Sequence, residues 1–115
     1  MAPQRISKTA FKRALELIGP PGGRQLKFLQ AHYSSPGRAS TATTLAWAAG
    51  YKNFNALNLR YGLLARQVGE ALEISGATLG LLLEFKEPSR TNEHWILSMR
   101  PEFADALREL GWVHA

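Results

Sequence analysis

The feature that most restricts the fold of this chain is a single glycine, Gly50, between two apolar segments with helical periodicity. Ala46 lies four residues earlier, where two crossing helices need a small side chain. A glycine accepts the left-handed backbone conformation of a tight turn without a steric penalty. The apolar positions around these two residues are Leu45, Ala49, Tyr51, Ala56 and Leu59. This spacing is typical of a helix-turn-helix over residues 42–59.

Apolar periodicity predicts four helices, of which the last two form this pair. The predicted spans are 6–18, 24–33, 41–49 and 54–72. Ser7 and Asn53 are placed as N-caps of the first and the fourth helix. The breaker sequence of residues 19–23 (GPPGG) ends the first helix. We therefore expect a basic N-terminal helix or arm at residues 1–23 and a second domain at residues 24–115.

After the fourth helix the apolar residues alternate, which is the spacing of β-strands. Alternation covers residues 79–85 and again 95–99, and the breaker-rich residues 87–92 separate the two runs. A last helix is predicted at residues 101–110, between a proline and a glycine. The predicted fold class is mainly α with a small β-hairpin (α+β). The order of elements favours a winged helix-turn-helix, with a three-helix core, a wing at residues 86–92 and extra helices at both ends.

The charge of the chain is strongly asymmetric. The whole chain has a net charge of +5. Residues 1–66 carry ten lysines and arginines and one carboxylate, a net charge of +9, whereas residues 67–115 carry a net charge of −4. The high positive charge of residues 1–66 favours contact with a polyanion such as a nucleic acid. Each phosphate that the protein neutralises releases counterions, and this release favours binding. The alternative is that the excess charge only keeps the protein soluble.

The fourth helix is the predicted recognition helix, with its N-terminal turns in the major groove of double-stranded DNA. Its predicted buried stripe is Phe54, Leu57, Tyr61, Leu64, Val68 and Leu72. The outward positions are Asn55, Leu59, Gly62 and Arg66, with Asn58 on the flank. The carboxamides of Asn55 and Asn58 suit bidentate pairing with adenine, and Gly62 would let DNA approach closely. A local structural role is the alternative for the asparagines.

Phosphate contacts are predicted for polar side chains around this helix. These side chains are Arg38, Thr41, Thr43, Lys52, Asn53, Arg60, Arg66, Lys86 and Arg90. Asn53 and one of the threonines equally suit helix caps. Trp47 and Tyr51 are candidates for stacking on an extruded base, or else they lie at the rim of the core. Leu59 and Leu63 form a second apolar edge, which either the protein itself or a protein partner covers.

Composition and spacing exclude several classes of function. The chain has no cysteine, which rules out a disulfide, a thiolate zinc site and a cysteine nucleophile. The histidines are not at metal-ligand spacing and the carboxylates are scattered, so we expect no metal, no cofactor and no enzymatic activity. No apolar run is long enough for a membrane span, and the N-terminus lacks a secretory signal. The sequence therefore favours a cytoplasmic protein with no membrane partner.

Three stretches of the sequence resemble a known family. They are AHYSSPGR and TATTLAWAAGYKNFNALNLRYGLLARQVGEAL within residues 26–72, and RPEFADALRELGWV near the C-terminus. These stretches resemble an accessory DNA-reading module of bacterial HNH-type restriction endonucleases and their orphan relatives. The resemblance implies a winged-helix reader of DNA, either an isolated domain or a small free-standing protein of a phage or mobile element. It leaves open whether the base that is read carries a modification. The clustered histidines of an HNH nuclease are absent from the sequence, so the module would read DNA without cutting it.

Two other interpretations compete with DNA binding. One is a small phage or mobile-element protein that acts by protein–protein contact, with a nuclease or a host defence complex as its partner. Leu59, Leu63 and the acidic half would then form the contact surface. The other is a transcriptional regulator, which differs from a DNA-reading module mainly in dimerisation.

Overall fold

A computed structural model describes residues 6–87 and 95–114 of the chain. These residues form five α-helices and three β-strands. The helices are α1 (Lys8–Ile18), α2 (Gly23–Ser34), α3 (Ala42–Ala49), α4 (Phe54–Ala71) and α5 (Pro101–Glu109). The strands are β1 (Ala39–Thr41), β2 (Leu83–Lys86) and β3 (Ile96–Met99). The predicted α+β class is therefore confirmed.

Side-chain caps and one glycine set the ends of the helices. The hydroxyl of Ser7 accepts a hydrogen bond from the backbone N–H of Ala10, over 3.1 Å. The carboxamide oxygen of Asn53 accepts one from the N–H of Ala56, also over 3.1 Å. Gly50 ends α3 with φ 82° and ψ 20°, the left-handed conformation that the sequence predicted. All five helices begin and end within two residues of the predicted positions.

The strands form one antiparallel sheet in the order β1-β3-β2. In the predicted hairpin, Leu83 lies opposite Met99 and Phe85 lies opposite Leu97. Strand β1 was not predicted, because its three residues, Ala39–Thr41, show no apolar alternation. It forms by pairing with β3, which follows it more than fifty residues later in the chain.

The prediction of a strand that begins at Leu79 is wrong. Residues Leu79–Leu81 form a 3₁₀ turn, and the strand begins only at Leu83. The carbonyl of Gly80 accepts two hydrogen bonds from the guanidinium of Arg100, at 3.0 Å from Nε and 2.9 Å from Nη2. In the register of the hairpin, Gly80 lies beyond the end of β3, and the guanidinium of Arg100 supplies the hydrogen bonds to its carbonyl.

One hydrophobic core joins the five helices and the sheet. Helix α1 contributes Phe11, whose ring centroid lies 5.7 Å from that of Phe103 in α5. Within the described residues, the predicted N-terminal arm and the predicted second domain therefore share one core. On α4, the predicted stripe from Leu57 to Val68 is buried, but Phe54 is 43% exposed. The assignment of Phe54 to the core was wrong, because its ring lines an open cavity instead.

A hydrogen-bonded histidine lies inside this core. His32 of α2 is fully buried, with Nδ1 2.9 Å from the Tyr61 hydroxyl and Nε2 2.8 Å from the Leu97 carbonyl oxygen. A carbonyl only accepts, so Nε2 carries the proton and Nδ1 accepts from Tyr61. Burial lowers the pKa of His32 and favours its neutral form. Through these two bonds His32 joins α2 to α4 and to β3.

Candidate nucleic-acid interface

Exposed cations lie at the turn between α3 and α4 and farther along α4. Lys52 lies in that turn and Arg60 on α4, and both side chains are exposed. Arg24, at the start of α2, lies against the same turn, with its guanidinium carbon 5.8 Å from the centre of the Tyr51 ring. Within the described part of the chain, Lys52 and Arg60 form no ion pair with a carboxylate. Their charge is therefore available to an external anion.

Arg24 was not among the predicted site residues. It is far from the turn in sequence, and only the packing of α2 against α3 brings it there. Arg24 is one of the ten bases of residues 1–66, but a count of charges does not show where in the fold a base lies. Its Nε lies 3.9 Å from the position that a Cβ at Gly50 would occupy. A larger residue at position 50 would therefore approach this guanidinium.

The outward face of α4 carries the predicted polar residues. Asn55 and Arg66 are exposed, and Asn58 is half-buried on the flank. Arg66 also contacts Glu70, with 3.6 Å between Nε and Oε1. At such exposure this ion pair contributes little, about 0.3–0.5 kcal/mol for an i,i+4 pair, and does not prevent a phosphate contact.

Two of the predicted phosphate ligands also cap helices. Asn53 uses its carboxamide oxygen on α4, as described above, and its amino group remains free to donate. Thr41 caps α3, since its hydroxyl accepts the N–H of Thr44 over 3.2 Å and donates to the Thr44 hydroxyl over 3.0 Å. The hydroxyl of Thr43 makes no hydrogen bond with another described residue. The local role that the sequence left open for Asn53 is therefore real.

The guanidinium of Arg38 is held in place by an aromatic ring. Its central carbon lies 3.8 Å from the centre of the Tyr33 ring, a cation–π arrangement. The backbone of Arg38 has a positive φ of 57°, directly after Gly37 in the same left-handed region. Stacking fixes the plane of the guanidinium while its N–H groups at the rim remain able to bind an anion.

The two aromatic residues predicted to stack on a base have different surroundings. Trp47 is 77% exposed on the outer face of α3. Tyr51 is half-buried, with its ring 6.4 Å from that of Phe28 and beside Arg24. One face of Tyr51 is therefore already engaged by the protein.

A groove separates α4 from the hairpin, and it has two parts. The first part, which we call the helix lobe, has a volume of about 500 Å³. Its walls are Asn58, Leu59, Gly62, Leu63 and Arg66 on α4, and Ala77, Thr78, Leu79, Gly80 and Phe85 opposite. The apolar edge of Leu59 and Leu63 thus borders an open cavity, and Leu59 is 61% exposed. Neither the wing nor the last helix covers it within the described residues.

The second part, which we call the aromatic lobe, has a volume of about 510 Å³. Its walls are Ala42, Thr43, Phe54, Asn58, Leu79, Phe85, Trp95 and Leu97. Asn58, Leu79 and Phe85 belong to both lobes, so the groove is continuous. Sequence reasoning missed this cavity, although the strand alternation places Phe85 and Trp95 on the same face as Leu97.

The tip of the hairpin lies mostly outside the described residues. Lys86, at the end of β2, is exposed, whereas Arg90 and most of the predicted wing at 86–92 fall in the range 88–94 that the structure does not describe. Within the described residues, no group of three or more histidines, aspartates and glutamates is placed to hold a metal ion. The same residues include no helix with the length and hydropathy needed to cross a membrane.

Comparison with known proteins adds no family to this description. No protein-family model, no curated protein and no solved structure matches the chain.

Proposed function

We propose that this chain is a double-stranded DNA-binding module of the winged helix-turn-helix type, with the N-terminal half of α4 in the major groove. The observation that carries this proposal is a group of exposed, unpaired cations on α4 and at the turn before it. Arg24 and Lys52 lie at the turn before α4 and Arg60 lies on α4, all three without carboxylate partners among the described residues. The described ion pairs that join separate elements lie elsewhere, between Lys8 and Glu109, between Lys12 and Glu109, and between Arg100 and Glu84.

The connectivity of the elements supports the winged-helix assignment. After α1, the chain follows the order α2, β1, α3, α4, β2, β3, with β3 in the centre of the sheet. In a winged helix the hairpin lies beside the recognition helix. Here β2 and β3 lie beside α4, with the groove between them. The left-handed Gly50 and the fully buried Ala46 fit the crossing of the two helices.

The residues of the candidate site have two kinds of role in this proposal. Asn55 and Asn58 contact base edges, because a carboxamide offers both a donor and an acceptor to adenine. The other predicted residues hold the phosphates, and Gly62 allows close approach. The phosphate contacts come from Arg38, Thr43, Lys52, Asn53, Arg60, Arg66 and Lys86, together with Thr41, Arg24 and, outside the described residues, Arg90.

The resemblance to the accessory module of HNH-type restriction enzymes would make this chain a reader without a nuclease. On that proposal it acts in a restriction-associated or mobile-element setting and has no enzymatic activity of its own. A protein partner is the second candidate function, and the exposed Leu59 and Leu63 of the helix lobe favour it. A partner that remains bound after nuclease digestion of all DNA would support this second function.

The double variant Lys52→Gln/Arg60→Gln is expected to bind duplex DNA several-fold more weakly and with a shallower salt dependence. Removal of one phosphate contact should reduce the slope of log K against log salt by about 0.9. Fluorescence anisotropy with a duplex of mixed sequence, at several salt concentrations, measures both quantities. The matched control is Arg13→Gln/Arg108→Gln, which removes the same charge from α1 and α5.

The control decides between a local contact and a general effect of net charge. If both double variants lose the same affinity and slope, Lys52 and Arg60 have no special role. Absence of salt-dependent duplex binding by the parent protein would overturn the proposed function altogether.

A further inference from the structure

We infer that the aromatic lobe holds a single base extruded from the DNA duplex. This inference rests on the proposed function, because the duplex must first lie along α4. Three aromatic side chains from three different parts of the chain meet at this cavity. They are Phe54 at the start of α4, Phe85 in β2, which is 46% exposed, and Trp95 before β3, which is 50% exposed.

Three half-exposed aromatic rings around one cavity are costly for a protein unless a ligand covers them. About half of each side chain is in contact with water. A flat aromatic ligand would cover this surface by stacking, and every nucleobase has such a π-face. The cavity volume of about 510 Å³ lies within the range of roughly 300 to 1,000 Å³ that is usual for small-ligand pockets.

Two polar groups in the same walls supply the hydrogen bonds that a base edge needs. Asn58 presents a carboxamide, and Thr43 presents a hydroxyl from the first turn of α3. Neither side chain makes a hydrogen bond with another described residue. On this inference Asn58 and Thr43 contact the extruded base, in place of the base edge and the phosphate that they would contact on an undistorted duplex. A base outside the helix is recognised by stacking and by hydrogen bonds to its Watson–Crick edge, and these groups supply both.

The position of the lobe relative to the cations explains how a base would reach it. Phe54 follows Lys52 and Asn53 directly, so the lobe opens beside the turn where the backbone phosphates would be held. A nucleotide rotated out of the duplex at that point keeps its phosphates near Lys52 while its base enters the lobe. Trp47 and Tyr51, the candidates for base stacking, line neither lobe, so the structure assigns stacking to other aromatic residues.

The test compares a matched duplex with one that contains a single central mismatch. A mismatched base is easier to extrude, so a protein that accommodates an extruded base binds the mismatched duplex more tightly. The parent protein is expected to bind the mismatched duplex roughly tenfold more tightly than the matched one, because less free energy is needed to unpair the base. Fluorescence anisotropy at a fixed salt concentration measures both affinities. The variants Trp95→Ala and Asn58→Leu should reduce this ratio towards one.

The control is Trp47→Ala, which removes an exposed tryptophan outside the lobe and should keep the tenfold ratio. Circular dichroism melting verifies that each variant is folded, and Trp95→Phe, which keeps an aromatic ring, should retain most of the preference. Equal binding of both duplexes by the parent protein, with normal salt dependence, overturns the base pocket and leaves the proposed function intact. The same holds if Trp47→Ala abolishes the preference and Trp95→Ala does not. Failure to bind either duplex overturns both.

Discussion

Replacement of His32 by alanine is expected to lower the free energy of unfolding by about 3 kcal/mol. The change removes a buried ring and leaves the Tyr61 hydroxyl and the Leu97 carbonyl oxygen without their partner. A buried polar group that loses its hydrogen bond costs about 1–3 kcal/mol, and the cavity adds to this. Urea denaturation followed by circular dichroism measures the difference. Because total stabilities are about 5–15 kcal/mol, a decrease of this size is readily detected.

The matched control for this variant is His114→Ala, which removes a histidine from an exposed position near the C-terminus. We expect its effect to stay within about 0.5 kcal/mol, as for most surface substitutions. A value for His32→Ala equally small would mean that the two hydrogen bonds do not hold α2, α4 and β3 together. Tyr61→Phe is the milder companion variant, since it removes only the hydroxyl and keeps the ring packed against Phe28, 4.6 Å away between centroids.

The same histidine predicts a pH dependence of stability. Burial lowers the pKa of His32 in the folded protein, whereas in the unfolded chain it is close to the ordinary value of about 6.5. Protons therefore bind more readily to the unfolded chain, and stability falls as the pH decreases below about 6.5. The decline ends where the folded-state pKa is passed. Urea midpoints at pH 7.5, 6.0 and 5.0 should show this decline in the parent protein and a smaller one in Tyr61→Phe/His32→Phe.

The helices were predictable because their signals are local. Gly50 and the caps Ser7 and Asn53 act within a few residues of their own position, so the sequence alone located most helix ends. The two parts of the sheet that were missed depend on distant residues. Strand β1 pairs with β3, and the Gly80 carbonyl in the turn at Leu79–Leu81 accepts hydrogen bonds from Arg100, 20 residues later. No short window of sequence contains either interaction.

The candidate site divides in the same way. Exposure of Asn55 and Arg66 followed from the 100° rotation per residue of a helix that has one buried stripe. The aromatic lobe did not follow, because Phe54, Phe85 and Trp95 belong to separate elements whose contact requires the strand register and the path of residues 77–80. Apolar residues in an amphipathic pattern are normally assigned to the core, and this general rule assigned Phe54 incorrectly.

Gly69 in α4 lets the segment around Ala77 pack closely against the helix. Replacement of Gly69 by alanine is expected to destabilise the fold by about 2 kcal/mol. A Cβ at position 69 would overlap the Cβ of Ala77 and would lie 3.3 Å from the carbonyl oxygen of Ile74. Neither neighbour can rotate away, because one is a methyl group and the other is backbone. Overpacking costs about 1–3 kcal/mol, and an overlap with atoms that cannot move lies at the upper end of this range. After the gain of about 1 kcal/mol in helix propensity, a net destabilisation of about 2 kcal/mol remains.

Gly62, seven residues earlier on the same helix, provides the matched control for this substitution. A Cβ at position 62 would meet no atom within 4 Å, so Gly62→Ala should stabilise the protein by about 0.5–1 kcal/mol through helix propensity alone. Thermal melting of the two variants side by side should therefore give shifts of opposite sign. Equal shifts would show that the segment of residues 74–80 does not pack tightly on α4. Gly62 also lines the helix lobe, so a stabilised Gly62→Ala that nevertheless binds duplex DNA more weakly would place the nucleic acid against this face of α4.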